Sequence, residues 1–354
     1  MTDETTPLLL PERAASLVAR GVGPDGDARP VEDGASDDDG ASVWAVVRVV
    51  LAAVVVAVAL RAFVFEAYRI PSESMEDTLL VGDFVFVSKL AYGPRVLGRR
   101  LPGLGAPERG DVAVFHYPPG VEARVESRMP YIKRLVGLPG DTVAIAAKRL
   151  VINGAPVASP PLGRRFWTLR TDGAPPSPED LAAVGIEGEP QRLADGLWVL
   201  DARPDEAPLL AGFAGVVGVE PYLRPPGDAS AAFPVSQRYS LDDYGPVVVP
   251  RRGMTVRLGD ATYGLYRVAI ERDEGHTLER TATGFAVDGR PTDTYTFAQD
   301  YFFALGDHRD DSADSRAWGF VPERNLIGRA ARVYLSWDAD AGRVRWGRVG
   351  RAVE

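Results

Sequence analysis

The sequence contains no cysteine and has only three lysines and three histidines, against 37 arginines. Without cysteine, the chain has no disulfide, no thiolate nucleophile and no cysteine metal site. Arginine remains protonated in proteins and cannot act as a general base. The candidates for a histidine or lysine base are therefore Lys89, Lys133, Lys148, His116, His276 and His308.

The negative charge is concentrated at the N-terminus. Residues 1–42 hold ten Asp or Glu against three Arg, which is most of the net charge of −9. This segment is rich in Gly, Pro, Ala and Asp and has no sustained apolar period, so we expect a disordered acidic tail over 1–42. The remainder is nearly neutral, and no nucleic-acid partner is indicated.

One long apolar stretch follows the acidic segment, "SVWAVVRVVLAAVVVAVALRAFVF". Its uncharged centre, 49–60, is shorter than the roughly 20 residues a bilayer needs. Arg48 and Arg61 are about 20 Å apart along a helix, so both can reach opposite interfaces. We expect one transmembrane anchor over 43–65, with a buried core helix as the alternative. A cleaved secretory signal would lie nearer the N-terminus, and positive charges on both sides leave the orientation open.

Beyond the anchor, the pattern predicts a mainly β body. Short Val, Phe, Ile and Tyr runs end at Gly, Pro or Asp, and Asn153-Gly154 suits a tight hairpin turn. One short helix is expected, capped by Ser177 and ended by Gly185. Residues 158–295, dense in Pro, Gly and Arg, form an expected insertion with strand-like runs "GPVVVPRRGMTVRL" and "YGLYRVAI". Residues 338–354 are expected to be a C-terminal tail.

Two serines lie two positions apart in "IPSESMEDTLL", and a serine nucleophile needs a neighbouring base. His308 lies among four Asp in "GDHRDDSADSR", either as a triad histidine or as a solvated histidine in a turn whose carboxylates cap backbone amides. This segment lacks calcium-loop spacing and a second imidazole, so no metal or other cofactor is predicted.

The other candidate base is Lys133 in the apolar segment "YIKRLVGLPGD". Desolvation can lower a lysine pKa by about 3 to 5 units, which would supply a neutral amine near neutral pH. The alternative is a strand lysine that reaches solvent.

Four segments occur in order after the apolar stretch: "IPSESMEDTLLVGDFVFVSKLAYG", "RGDVAVFHYP", "YIKRLVGLPGDTV" and "YFFALGDHRDDSADSRAWGFVP". Together they resemble the conserved boxes of bacterial type I signal (leader) peptidases, which are membrane-anchored Ser-Lys serine proteases. The resemblance covers roughly 44–157 and 285–336. It implies a mainly β fold of short antiparallel strands. We expect the catalytic domain at 66–157 and 296–337, and 158–295 as a second, non-catalytic insertion, about whose role the resemblance says little.

The resemblance also implies roles for individual residues. Ser74 would be the nucleophile and Lys133 the general base, while the Ser74 backbone amide and the Ser72 hydroxyl would hold the oxyanion. Ser312 would orient the lysine amine, and Asp314 and Arg316 would form a supporting ion pair. His308 would then be a solvated turn residue or make a structural hydrogen bond.

Three positions depart from the family pattern: Glu73 replaces a glycine, Asp77 a proline and His308 an asparagine. We expect Glu73 to point away from Lys133, because a nearby carboxylate would raise the lysine pKa. With Asp77 in place of proline, the loop would be less stiff, but the chemistry would not be affected.

The expected function is removal of signal peptides from exported preproteins, after Ala-x-Ala-type sites. The resemblance implies a single-pass protein of the cytoplasmic (inner) membrane, its body on the outer or periplasmic face. Expected partners are preprotein signal peptides, membrane lipid and the translocation machinery. Two alternatives remain: a Ser-Lys protease that cleaves itself or one dedicated partner, and a catalytically silent anchored β protein that binds preproteins or secretion machinery.

Overall fold

The structure is a computed structural model that describes residues 38–96, 99–120, 122, 124–158, 163–225 and 232–354. The expected acidic tail therefore lies mostly outside the described residues. The first helix, α1, is Asp38–Phe63, and the side chains from Val43 onward are exposed along it. Its segment Val43–Phe63 is 21 residues long and apolar enough to cross a membrane. The helix ends before Phe65, the last residue of the expected anchor, which begins the first strand.

Strands dominate the rest of the described chain. They are β1 (Phe65–Arg69), β2 (Asp83–Ser88), β3 (Arg95–Val96), β4 (Arg99–Arg100), β5 (Val112–His116), β6 (Pro130–Gly137), β7 (Thr142–Ala146), β8 (Arg149–Ile152), β9 (Ala155–Pro156), β10 (Arg165–Thr171), β11 (Gln191–Ala194), β12 (Leu197–Ala202), β13 (Val216–Pro221), β14 (Tyr244–Val248), β15 (Thr255–Arg257), β16 (Leu278–Thr281), β17 (Gly284–Val287), β18 (Arg290–Pro291), β19 (Thr294–Thr296), β20 (Tyr301–Leu305), β21 (Val321–Pro322), β22 (Leu326–Asp338) and β23 (Arg343–Val344).

The helices of this part are short. They are α2 (Pro178–Ala183), α3 (Ala207–Leu210), α4 (Asp260–Val268) and α5 (Ser315–Trp318), with a π-helical turn at Ala269–Asp273 and 3-10 turns at Val125–Ser127, Val235–Gln237, Glu323–Asn325 and Trp346–Arg348. The expectation of a mainly β protein with an N-terminal apolar helix is confirmed.

The largest sheet carries the candidate site. Its antiparallel order is β1-β2-β22-β5-β6-β20-β21, and β23 pairs with the end of β22. Alternating residues of β2, such as Val85 and Val87, are buried while Phe86 is exposed, as a sheet with one packed face requires. The strand β6 lies between β5 and β20, with Lys133 paired opposite Ala113 of β5.

A second sheet, β14-β7-β8-β9, shares a large apolar core with α4 and with aromatic residues of β19 and β20. The expected hairpin turn is present between β8 and β9, where Asn153 and Gly154 both have positive φ, as a type I′ turn requires. The expectation of a strand at "YGLYRVAI" is wrong. Leu265, Tyr266, Ala269 and Ile270 are all buried, a spacing that gives one face of a helix rather than of a strand.

The expected insertion falls into two structural parts. The first is a separate four-stranded sheet, β11-β12-β10-β13, with its own core around Trp167, Leu169 and Leu200. It contains the predicted helix α2, where Ser177 accepts from the Asp180 amide and Gly185 follows with φ of +79°. We call residues 163–225 the inserted sheet. The second part, from 232 onward, packs into the core of the second sheet.

The C-terminal segment 338–354, expected as a tail, packs against the largest sheet. Arg348 donates to Asp83 at 2.6 Å, and Val353 N donates to Ala331 O at 3.1 Å. The last residue, Glu354, accepts a hydrogen bond from Arg134 through its backbone oxygen.

Candidate active site

The loop between β1 and β2 holds both serines. Met75 and Leu79 are fully buried in the core with Ile70 and Val85, so the apolar residues of "IPSESMEDTLL" fix the loop on the sheet. Thr78 Oγ1 adds a hydrogen bond of 2.7 Å to the buried carboxylate of Asp307. Ser74, between these anchors, is 8% exposed.

Ser74 and Lys133 meet directly. Lys133 Nζ lies 2.6 Å from Ser74 Oγ, and it also donates to its neighbour's carbonyl, Ile132 O, at 2.9 Å. The amine lies 5.6 Å from the centre of the Tyr131 ring, which shares its face of β6. The 2.6 Å between Lys133 Nζ and Ser74 Oγ is within the range for a general base and the hydroxyl that it deprotonates.

Lys133 is a buried amine with a lowered pKa. Its side chain is almost fully enclosed, and this burial lowers the pKa to about 8, against the opposing effect of the negative charges of Asp314, Asp307 and Asp311. A neutral amine is therefore accessible at mildly alkaline pH, as a proton acceptor requires. Glu73 is exposed, and the carboxylates that raise the Lys133 pKa are those of Asp314, Asp307 and Asp311.

An open groove lies over the two serines. Ser72 Oγ is 3.3 Å from Ser74 Oγ and is exposed in this groove, whose cavity volume is about 330 Å³. One wall is the beginning of β6, and the other is the loop before α5. The lining residues are Pro71, Ser72, Ser74, Met129, Pro130, Tyr131, Ile132, Lys133, Asp311 and Ala313.

Asp314 and Arg316 form a buried ion pair behind the groove. Arg316 donates to Asp314 through Nε at 2.9 Å and Nη2 at 2.8 Å. Asp314 caps α5 and accepts from the Gly306 amide, while Arg316 also binds the Arg309 carbonyl. Although burial opposes it, the Arg316 charge helps hold the Asp314 pKa below its ordinary value. The pair therefore fixes the loop 306–316 by its two ends.

Ser312, which we expected to orient the Lys133 amine, makes no hydrogen bond to it. Its Oγ is buried and has no hydrogen-bond partner within the described residues. The Lys133 amine instead contacts Ser74 and Ile132. Ser312 packs over Gly306, so closely that a Cβ on Gly306 would overlap Ser312 Oγ.

Of the two expectations for His308, the solvated turn residue is wrong. Its side chain is 5% exposed and lies between Glu76 and Asp201. Asp77 has a left-handed φ of 65° and pairs with Arg164, so the charge that replaces proline here belongs to an ion-pair network. Sequence reasoning missed Arg164, Asp201 and Asp307, because ion pairs between distant segments leave no local pattern.

The comparisons with known proteins agree with this architecture. The family described as "Signal peptidase, peptidase S26" matches residues 43–173 and 262–337, which is more than half of the chain. The match extends further into the expected insertion than the resemblance did and leaves 174–261 outside it.

Three curated relatives are similar over most of the chain. Signal peptidase I of Pseudomonas fluorescens is 43% identical over 296 residues, covering 78% of this chain and 67% of that protein. Signal peptidase I of Pseudomonas aeruginosa is 30% identical over 291 residues, with the same coverage, and that of Aquifex aeolicus is 28% identical over 280 residues, covering 78% of each chain.

The β fold and these relatives define the chain as a serine endopeptidase, a hydrolase. It belongs to the signal peptidase family, peptidase S26.

Proposed function

We propose that this chain is a membrane-anchored peptidase that removes signal peptides from exported preproteins, with Ser74 as nucleophile and Lys133 as general base. The observation that carries the proposal is the 2.6 Å separation of Lys133 Nζ and Ser74 Oγ, at a buried amine whose pKa is lowered to about 8. A charged lysine at ordinary pKa would not accept a proton near neutral pH.

In the first half of the reaction, the neutral Lys133 amine takes the Ser74 proton as Oγ attacks the scissile carbonyl carbon. The oxyanion is held by the Ser74 backbone N–H and the Ser72 hydroxyl. Lys133 then returns the proton to the leaving nitrogen as the C–N bond breaks. The mature protein leaves with a new amino terminus, and the signal peptide remains as an ester on Ser74.

In the second half, Lys133 accepts a proton from a water, which attacks the ester carbon. The bond between that carbon and Ser74 Oγ breaks, and the proton returns to Oγ. The signal peptide leaves with a free carboxyl group. Asp314 and Arg316 act at a distance from this chemistry, by fixing the loop that forms one wall of the groove.

The groove suits an extended peptide with small side chains near the cleaved bond. Residues Pro130–Lys133 of β6 pair with β5, whereas the described pairs of β6 with β20 begin at Arg134. This leaves an edge against which a substrate strand can form backbone hydrogen bonds. Ile132 and Ala313 give the groove an apolar lining, consistent with Ala-x-Ala-type sites.

The helix α1 is the proposed anchor. Its apolar segment of 21 residues would span about 31 Å, enough for the hydrocarbon core of a bilayer. We place the body on the outer, periplasmic face of the cytoplasmic membrane, with lipid and the translocation machinery as partners. Ser74 follows the helix end at Phe63 by only eleven positions.

The test is cleavage of a purified preprotein by the full chain in detergent or lipid, with N-terminal sequencing of the product. Wild type should cut after an Ala-x-Ala site, while Ser74→Ala and Lys133→Ala should be folded and inactive. Lys133→Arg should also be inactive, because arginine keeps its proton. Lys89→Ala is the matched control, since Lys89 pairs with Glu66 outside the groove, and it should retain activity. Full activity in either dyad variant would exclude the mechanism.

A further inference from the structure

His308 occupies a position that the proposed chemistry does not use. Its backbone N–H donates to the carbonyl of Ser74 at 3.2 Å, so its main chain touches the nucleophile's own residue. The segment beside it is the start of the inserted sheet: Arg164 N donates to Asp307 O at 3.1 Å, and Arg309 N donates to Arg164 O at 3.0 Å. Three segments of the chain therefore meet at this histidine.

The His308 ring lies between two carboxylates that belong to different parts of the molecule. Nδ1 is 3.4 Å from Glu76 Oε2, two positions after the nucleophile, and Nε2 is 3.3 Å from Asp201 Oδ2 on β12. An imidazolium carries a positive charge and an N–H on both nitrogens, so it suits a site with a carboxylate on each side better than a neutral imidazole does. The side chain is 5% exposed, and within the described residues neither ring nitrogen makes a hydrogen bond of good geometry, so the two carboxylates face the ring at ion-pair distance.

The charges around the ring favour its protonated form. Burial by itself would lower the pKa of His308, but Asp201 and Glu76 outweigh it and raise the pKa to about 9. Among the described residues, Arg164 also faces this site, with Nε 2.9 Å from Asp201 and 3.7 Å from Glu76. The ring of Phe166 on β10 packs edge-on against the His308 ring. Asp77 joins the same cluster through Arg164, at 3.2 Å.

A metal ion is the obvious alternative occupant, because ligand atoms of Glu76, Asp201 and His308 lie within 4.8 Å of one another. A metal would bind one ring nitrogen together with both carboxylates. Here the two carboxylates face opposite ring nitrogens, and Arg164 already contacts both of them. The arrangement is that of a cation between two anions.

We propose that His308 is a positioning residue for Ser74: as an imidazolium between Glu76 and Asp201, it ties the nucleophile's loop to the inserted sheet. This inference rests on the proposed function and assigns a role to the inserted sheet, which supplies Asp201 and Arg164. A second buried cluster ties the loop 306–316, which carries His308, to the inserted sheet: Arg224 binds Asp310 at 3.0 Å, and Lys148 binds the same carboxylate at 2.7 Å.

Loss of the imidazolium charge leaves three carboxylates, those of Glu76, Asp77 and Asp201, with Arg164 and, at 4.0 Å from Asp77, Arg203. Repulsion between these carboxylates would move Glu76, and with it the Ser74 hydroxyl relative to the Lys133 amine. A misplacement of about 1 Å can cost on the order of a hundredfold in rate. We expect His308→Asn, which keeps polarity but removes the charge, to lower kcat about ten- to a hundredfold with little change in KM.

The experiment combines kinetics with direct observation of the ring. The full chain, labelled with ¹⁵N histidine, is titrated by NMR, with the three histidines assigned by substitution. His308 should remain protonated on both nitrogens until about pH 9. In parallel, kcat and KM are measured on a preprotein across pH for wild type, His308→Asn, His308→Lys and Asp201→Asn. His276→Asn, which removes an exposed His–Asp pair elsewhere, is the matched control.

The expected profile of wild type falls again above about pH 9 as the ring loses its proton. His308→Asn should lose this falling limb at a lower plateau, and His308→Lys should recover part of kcat and extend activity to higher pH. Asp201→Asn should also lower kcat, and its effect should not add to that of His308→Asn. His276→Asn should match wild type.

A neutral His308 ring at pH 7, or a His308→Asn enzyme with the wild-type kcat and pH profile, would overturn the proposal. So would a rise in thermal stability on addition of Zn²⁺, Ca²⁺ or Mg²⁺ that depends on His308, because that result would identify a metal site. Absence of preprotein cleavage by wild type would instead count against the proposed function, while the NMR titration still tests the ring's charge.

Discussion

Arg134 binds Asp307 through two hydrogen bonds, from Nε to Oδ1 at 2.8 Å and from Nη2 to Oδ2 at 2.7 Å. Arg134 follows Lys133 on β6, and Asp307 precedes His308, so this one pair joins the lysine's strand to the loop beside the nucleophile. Asp307 is fully buried and also accepts from Thr78. Three segments of the site are thus held by a single carboxylate.

Removal of the Asp307 carboxylate should lower the stability of the folded chain. Asp307→Ala leaves the buried Arg134 guanidinium without its carboxylate, with only backbone acceptors such as Gly110 O and Glu354 O, and breaking a buried ion pair in this way costs about 3 to 5 kcal/mol. We expect the free energy of unfolding to fall by about this amount, measured by urea denaturation. The double variant Arg134→Met/Asp307→Leu should recover part of the loss, because it leaves no unpaired charge.

The control for this pair is the Arg170–Glu220 ion pair, which is more than half exposed on the inserted sheet. Exposed ion pairs contribute little to the free energy of unfolding, so Arg170→Ala should leave the denaturation midpoint unchanged. An Asp307→Ala protein as stable as wild type would show that the buried pair is not needed to hold these segments together.

Gly306 should tolerate no side chain. A Cβ there would lie 2.5 Å from the Ser74 carbonyl oxygen and 2.5 Å from Ser312 Cβ, closer than real contacts allow. Gly306→Ala should therefore displace Ser74 and abolish preprotein cleavage in a protein that remains folded by circular dichroism. Gly173→Ala, where a Cβ meets nothing within 4 Å, should retain activity. An active Gly306→Ala enzyme would refute the tight packing of this loop.

Lys133 should reduce stability near neutral pH. Its pKa is about 8 in the folded chain and near its ordinary value in the unfolded one, so between these values the unfolded chain binds more protons and stability rises with pH. Below about pH 8 the full penalty applies, roughly 3 kcal/mol. We expect Lys133→Met to be inactive and more stable than wild type at pH 7.

The gain from Lys133→Met should shrink as pH rises toward 10.5, where the lysine is neutral in both states. Denaturation of both proteins at several pH values measures this difference. A Lys133→Met protein less stable than wild type at pH 7 would mean that the lysine is charged and satisfied in its site. Lys89→Met, at a partly exposed ion pair, should show no such pH-dependent gain.

Sequence patterns correctly predicted the secondary-structure elements that are determined by neighbouring residues. The Asn153-Gly154 turn follows from two residues that tolerate positive φ, and α2 follows from its Ser177 cap. The strand expected at "YGLYRVAI" failed because a short apolar run is compatible with either structure. The sequence signal that was missed is the helical spacing of four apolar residues, Leu265, Tyr266, Ala269 and Ile270, which the structure buries on one face. A second signal is Thr262, which accepts from the Gly259 amide at the start of the helix.

The candidate site likewise has residues that a local sequence pattern indicates and residues whose positions depend on the tertiary fold. Ser72, Ser74 and Lys133 lie in recognisable sequence segments, but the contact of His308 with Asp201 joins residues more than a hundred positions apart. Such a pairing is fixed by the tertiary fold, and no spacing in the sequence encodes it. The same holds for Ser312, whose position is decided by packing against Gly306.

The most direct test of the Ser74–Lys133 mechanism is the pH dependence of kcat/KM for preprotein cleavage by the full chain, because this quantity reports the free enzyme's essential base. The account predicts a rising limb with an apparent pKa of about 8, the pH at which the Lys133 amine becomes neutral. A rising limb near 6.5, the ordinary value for histidine, or activity independent of pH from 6 to 9, would contradict it.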